Sequence, residues 1–169
     1  FATVGDVMDL DGENRILVKE ALKLLKITSH PGISALIEVN EISREAISAF
    51  HIGFVLGPCI NASGRLDTAK RALELLKTTD YEKALVKAAE LKALNDERKS
   101  MTDDGVQQAL DQIENSDMKR DRVLVIYLPD CHESLAGIIA GRIRERYYRP
   151  VFVLTRSQDG VKGSGRSIE

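Results

Sequence analysis

Apolar residues recur along this chain at helical spacing in some stretches and as short unbroken runs in others. Over 13–27, Ile16, Leu17, Ala21, Leu24 and Leu25 repeat at helical spacing, with Lys19, Glu20, Lys23 and Lys26 turned away. That pattern predicts an amphipathic helix. Ser29-His30-Pro31-Gly32 stops it. Two shorter helices are predicted over 32–39 and 43–49, the second capped by Ser43. Ile52-Gly53-Phe54-Val55-Leu56 is continuously apolar and reads as buried. Asp67 would cap a further helix carrying Ala69, Ala72, Leu73 and Leu76. The longest periodic stretch, 80–115, would span about 54 Å as one helix at about 1.5 Å per residue. Its apolar stripe is thin (Tyr81, Leu85, Ala88, Leu91, Leu94, Met101, Val106, Leu110, Ile113), which suits a helix joining two lobes with few contacts across them. Gly105 is a candidate break in it.

Strand-length runs stand at the two ends of the chain. Phe1-Ala2-Thr3-Val4 is short and β-prone, which would set Asp6 just past a strand end. After a polar hinge at 119–122, the run 123–128 predicts a buried strand. A helix over 134–148 follows, with Leu135, Ile138, Ile139 and Ile143 inward and Gly137, Ala140 and Gly141 allowing close packing. A second strand over 150–154 would lie parallel to the first through a right-handed crossover. Asp159-Gly160 predicts a hairpin turn, and 161–168 the strand running back. The fold class is α/β: a mostly helical first part, a long helix, then a small βαβ unit with a hairpin.

Composition narrows the class without naming a chemistry. The 169 residues are 43% hydrophobic and 30% charged, enough for one domain or two small ones. A net charge of -2 excludes a chain that coats nucleic acid as a polycation. The charge is uneven, however: 141–169 holds seven basic residues against three acids, and 80–115 holds nine acids against five basic residues. An anionic ligand should favour the C-terminal part. Cys59 and Cys131 lie far apart without metal-ligand spacing and read as free thiols in a reducing cytoplasm. No signal peptide or long apolar run points to secretion or a membrane. The chain begins at Phe1 in an apolar run and stops at Glu169 in a predicted strand, which reads as an excerpt from a longer protein.

Candidate chemistry gathers in two glycine-arginine stretches. Gly163-Ser164-Gly165-Arg166-Ser167 combines glycines that let a ligand approach with hydroxyls and a guanidinium that hold phosphate oxygens. It is neither a dinucleotide fingerprint nor a nucleophile elbow. Asn61-Ala62-Ser63-Gly64-Arg65 repeats the chemistry, with Arg65 expected just ahead of a helix N-terminus that would favour an anion. The alternative is two ordinary glycine turns whose arginines pair with nearby acids such as Asp67 or Glu169. Asp9-x-Asp11-Gly12 lacks the rest of a calcium loop, and His30 and His51 have no second ligand at useful spacing.

Taken together, these motifs resemble the DHH phosphoesterase family, and within it the exonucleases of single-stranded DNA. The resemblance rests on Ala2-Thr3-Val4-Gly5-Asp6, Glu13-Asn14-Arg15-Ile16-Leu17-Val18, Asn61-Ala62-Ser63-Gly64-Arg65, Asn95-x-Glu97-Arg98-Lys99, His132-Glu133-x-x-Ala136-Gly137-Ile138-Ile139-Ala140 and Gly163-Ser164-Gly165-Arg166-Ser167-Ile168, in that order. It implies that 1–79 is the last part of a DHH catalytic domain, 80–119 a connecting helix and 120–169 the start of a DHHA1 nucleic-acid-binding domain. It implies 5′→3′ hydrolysis of phosphodiesters in DNA repair and recombination with two metal ions, Mn²⁺ or Mg²⁺. Asp6 matches a family metal ligand, and the other ligand motifs are absent, so the fragment itself is expected to be inactive. Asn61, Arg65, Ser164, Arg166 and Ser167 match nucleic-acid or phosphate contacts. His132 is a candidate catalytic residue by motif and equally a structural partner of Glu133. The implied partner is single-stranded DNA at its 5′ end, with a single-strand-binding protein or a helicase beside it. Cys59 stands where many relatives carry an arginine, and Cys131 and Ser134 where a tryptophan and a glycine are common. Family members acting on oligoribonucleotides or cyclic dinucleotides usually carry Gly-Gly-Gly-His where this chain has Gly-Ser-Gly-Arg. A noncatalytic nucleic-acid-binding module is the alternative of a different class.

Overall fold

The structure, a computed structural model, describes residues 1–158 and 160–169. Its contacts divide the chain into two compact units, Phe1–Asp96 and Glu97–Glu169.

The first unit is helical. Its elements are α1 (Ala2–Gly5), α2 (Gly12–Ile27), α3 (Pro31–Val39), a 3-10 turn (Arg44–Ala46), α4 (Ala49–His51), a π turn (Ile52–Leu56), α5 (Gly57–Leu66), α6 (Lys70–Lys77) and the first part of α7 (Tyr81–Glu114). The first segment is a helical turn where a strand was expected. Its backbone is satisfied locally, with the N–H groups of Gly5 and Asp6 donating to Phe1 and Ala2 at 2.8 Å. A strand would need a neighbour for those groups, and all the described strands belong to the other unit. The core is Leu25, Leu36, Ile37, Ile52, Leu56 and Leu75 with alanines from α3, α6 and α7.

The inward side of α2 differs from the expected one. Leu25 is buried and Leu22 packs on the core, while Ile16, Leu17 and Leu24 are 63%, 64% and 64% exposed. Apolar residues cover more than half the circumference of α2, so periodicity alone does not select a side. The run Ile52-Gly53-Phe54-Val55-Leu56 is likewise split: Ile52 and Leu56 are buried, whereas Phe54 is exposed and stacks on Phe50 with centroids 5.1 Å apart. Pro58 accounts for the π turn. It has no N–H for the Phe54 carbonyl and its ring would crowd that oxygen, so the ladder widens there to an i→i+5 bond from Gly57 to Ile52. Asp67 closes α5, its N–H donating to Ser63 at 2.9 Å, and does not cap α6, whose N-cap is Ala69. Ala72 and Leu75 face inward on α6, and Leu73 faces solvent.

The second unit is a three-stranded sheet in the order β1 (Leu124–Tyr127), β2 (Val151–Ser157), β3 (Gly160–Arg166), with α8 (Ala136–Tyr147) as the crossover. β1 and β2 are parallel, Leu124 opposite Val151, and β2 and β3 antiparallel. The expected hairpin turn at Asp159-Gly160 falls in part on Asp159, outside the described residues. One sheet face, with Leu124, Ile126, Val151 and Val153, packs under Ile139, Ala140 and Ile143 of α8 and Ala109 and Ile113 of α7. The other face leaves Val125, Tyr127 and Phe152 exposed, so β1 is half-buried rather than buried on both sides. Gly105 does not interrupt α7. A Cβ there would lie 2.5 Å from Ile139 Cδ1, so glycine is what lets α8 pack this closely. The stretch 119–122 is not a free hinge either: Arg149 donates to the carbonyls of Lys119 and Asp121 at 2.6 and 2.9 Å.

Candidate nucleic-acid interface

Strand β3 sorts its residues by the alternation of a pleated strand. Lys162, Ser164 and Arg166 lie opposite Thr155, Val153 and Val151, whose side chains face α8, so they share that face. Gly163 and Gly165 lie opposite Leu154 and Phe152 on the other face, where the Phe152 ring covers Gly165. The three polar residues meet the start of α8 along the free edge of the sheet. Lys162 Nζ is 2.9 Å from Glu133 Oε2. The Arg166 guanidinium donates to Ser164 Oγ at 3.0 Å and to the Gly165 carbonyl at 2.8 Å. It lies over Gly137: a Cβ built on Gly137 would come 2.9 Å from Arg166 Nη2 and 3.0 Å from Ser164 Oγ. Further along α8, Arg144 reaches the Ser167 carbonyl at 3.5 Å.

Among the described residues Arg166 has no acidic partner, so the expected alternative of a pair with Glu169 is not what forms. A guanidinium held by a hydroxyl and a carbonyl keeps its charge uncompensated and its planar fork oriented. Ser167 is exposed, and its hydroxyl donates to the Ile168 carbonyl.

Arg65 is placed differently from the expectation. Asn61-Ala62-Ser63-Gly64-Arg65 is helical, not a turn, and Arg65 stands in the last turn of α5. Pro58 in the first turn and buried Ala62 and Ser63 explain the helix. At a helix C-terminus the dipole disfavours an anion, so any phosphate contact by Arg65 rests on its guanidinium alone. Asp67, offered as its partner, pairs with Arg71 at 2.5 Å. Asn61 and Asp6 come together, lining one cavity of about 300 Å³ with Phe1, Gly5, Gly57 and Ile60. Asp6 ends α1 rather than a strand.

His132 caps the 3-10 turn Glu133–Leu135, its Nδ1 accepting from the Ser134 N–H at 3.3 Å and lying 2.8 Å from Ser134 Oγ. Glu133 pairs with Lys162 instead of His132. His132 also lines a cavity of about 180 Å³ with Asp104, Gln108, Asp130 and Cys131. Burial raises the Cys131 thiol above its ordinary value, which keeps it protonated. No group of three His, Cys, Asp or Glu among the described residues could hold a metal ion. Asp6 therefore offers a single carboxylate, and these residues alone do not fit a divalent-metal site.

Sequence reasoning did not single out Gly137, Lys162 or Arg144 for this interface. Gly137 was legible as a small residue on a helix, but its neighbour across the sheet was not.

No protein-family model matches the chain. Curated single-stranded-DNA-specific exonucleases named RecJ are similar over its whole length: that of Escherichia coli is 41% identical over 175 residues and that of Dickeya dadantii 40% over 173. The chain spans about 30% of the length of either. A crystal structure of RecJ from Thermus thermophilus in complex with Mg²⁺ superposes with a TM-score of 0.84 at 32% identity, covering 98% of this chain and 25% of that one. A manganese-bound exonuclease RecJ matches with the same score at 33% identity, covering 99% of this chain and 40% of that one. Identity and fold agreement along its whole length make this chain similar to a stretch about 30% of the length of those curated RecJ exonucleases.

Proposed function

We propose that the chain is part of a 5′→3′ exonuclease that hydrolyses phosphodiester bonds of single-stranded DNA in repair and recombination, and that its own share of the work is to hold the strand. The observation that carries this reading is the Arg166 guanidinium, fixed by Ser164 and Gly165 without an acidic partner. Ser164 and Arg166 bind a backbone phosphate at the 5′ end, with Ser167 and Arg144 beside them. Arg65 and Asn61 contribute a separate polar contact on the first unit. Residues 1–79 form the end of the DHH catalytic domain, 80–119 the connecting helix and 120–169 the start of the DHHA1 domain. His132 acts by orienting the turn before α8, through the cap on Ser134.

Relatives crystallised with Mg²⁺ and Mn²⁺ support a divalent-metal enzyme. The metals would polarise the phosphodiester and activate water, held mostly by residues outside this stretch. The proposed partner is the single strand itself, delivered by a single-strand-binding protein or a helicase. The proposed compartment is the cytoplasm; among the described residues no helix is long and apolar enough to cross a membrane.

The test uses the full-length protein and single strands with a 5′-phosphate or a 5′-hydroxyl. Arg166→Ala should weaken binding of the phosphorylated strand by about tenfold to a hundredfold, the loss of roughly 1.5–3 kcal/mol for hydrogen bonds to a charged group. Arg166→Lys keeps the charge but loses the fork, and should lower the preference for the phosphate by a smaller factor. Unchanged preference in both variants would refute the phosphate contact.

A further inference from the structure

We propose that Gly137 is a positioning residue for ligand recognition: the absence of its side chain is what seats the Arg166 fork and the Ser164 hydroxyl. The inference rests on the reading of Ser164 and Arg166 as a phosphate contact and deepens it. Three observations separate this role from the usual reasons for a helical glycine. First, Gly137 lies inside the first turn of α8 with no left-handed φ, so its backbone does not require glycine. Second, the atoms that a Cβ would meet are Arg166 Nη2 at 2.9 Å, Ser164 Oγ at 3.0 Å and Arg166 Cζ at 3.5 Å, and none of the three belongs to the hydrophobic core. Third, Gly141 stands one turn further along the same helix with open space around its Cβ position. Glycine is the poorer helix former at both positions, so stability alone would favour alanine at either.

The size of the collision decides its consequence. Carbon contacts are comfortable at about 3.5–4.0 Å, so a methyl at 137 would push the guanidinium away by roughly half an ångström or more. The tip of an arginine can retreat that far, so the fold should survive. Recognition is less tolerant, since a working constellation is held within about 0.5 Å of its productive geometry. The displaced guanidinium would also lose its bond to Ser164 Oγ, which now holds the fork in place. Gly137 thereby sets where the phosphate-binding fork can stand without touching the ligand.

The experiment compares Gly137→Ala, Gly141→Ala, Arg166→Ala and the double variant Gly137→Ala/Arg166→Ala in the full-length protein. Binding to 5′-phosphorylated and 5′-hydroxyl single-stranded oligonucleotides is measured with thermal unfolding of each variant. Gly137→Ala should keep or raise Tm and lower affinity for the phosphorylated strand about tenfold, with a smaller effect on the hydroxyl strand. Gly141→Ala should keep or raise Tm and leave both affinities unchanged. In the Arg166→Ala background, Gly137→Ala should cost much less than in the parent, because only the Ser164 hydroxyl remains for its methyl to crowd. A marked drop in Tm for Gly137→Ala would overturn the proposal by making the glycine a packing requirement. Unchanged binding by Gly137→Ala while Arg166→Ala weakens it would overturn this inference alone. Unchanged binding by Arg166→Ala would instead remove the phosphate reading beneath it.

Discussion

An arginine whose guanidinium is bonded to a serine hydroxyl and a carbonyl presents its charge outward, whereas one bonded to a carboxylate has largely spent it. Arg166 is of the first kind and Arg142, paired with Asp103, of the second. Glu114 shows the same logic with pH. It is bonded to Lys119 and accepts from Tyr147 Oη at 2.9 Å, and these bonds hold its carboxyl below the ordinary value of 4.5. Burial, then Glu114, pushes the Tyr147 hydroxyl the other way. A depressed carboxyl stabilises the fold above its unfolded pKa, and that contribution fades as pH falls through the folded value. Glu114→Gln should therefore lower Tm slightly at pH 6, and the two proteins should converge as pH drops from about 4.5 towards 3. Because Glu114 is solvent-accessible the effect is small, and a Tm gap that stays constant over this range would show that its charge is not the cause.

At the scale of elements, α7 and α8 test how closely two helices can approach. Gly105→Ala should gain about 1 kcal/mol of helix propensity and lose about 1–3 kcal/mol to overpacking against fully buried Ile139. The expected net is destabilisation in thermal or urea unfolding. Adding Ile139→Val, which removes the offending Cδ1, should recover most of it; a single variant as stable as the parent would mean that Ile139 repacks freely. Elements of this kind were legible in the sequence where one period was strong: α2, α7, β1 and α8 lie within a residue or two of where the pattern set them, and β2 starts within one residue of it but runs three residues further. The pattern failed where local and tertiary signals compete. The apolar residues of α2 do not select a single face, and Gly64 after Asn61 suggests a turn although buried Ala62 and Ser63 continue α5 past it. Phe1-Ala2-Thr3-Val4 has the composition of a strand but no partner strand in its unit.

For the whole molecule, the half of the site that is chemistry and the half that is grip were unequally legible. Arg166 and Ser164 are by type and spacing the residues proposed to hold a phosphate, and the structure adds the open position at Gly137 beside them, which spacing could not reveal. Asp6 was legible as a single carboxylate, and the fold brings Asn61 to its cavity rather than a second acid. Two-metal hydrolysis needs several carboxylate or imidazole ligands converging on ions about 4 Å apart. Among the described residues no such group exists, and the chain spans about 30% of the length of its RecJ relatives. The purified 169-residue chain should therefore release no nucleotides from 5′-phosphorylated single-stranded DNA in Mn²⁺ or Mg²⁺, at any enzyme excess. It should still bind that strand weakly, with an affinity that falls as salt rises, since phosphate contacts release counterions, and that falls further on Arg166→Ala. Metal-dependent release that disappears in an Asp6→Ala preparation would contradict this division of labour, because the contaminating nuclease that could mimic it would not respond to Asp6. Binding insensitive to both salt and Arg166 would contradict the other half, and would move the grip on DNA away from the edge of β3.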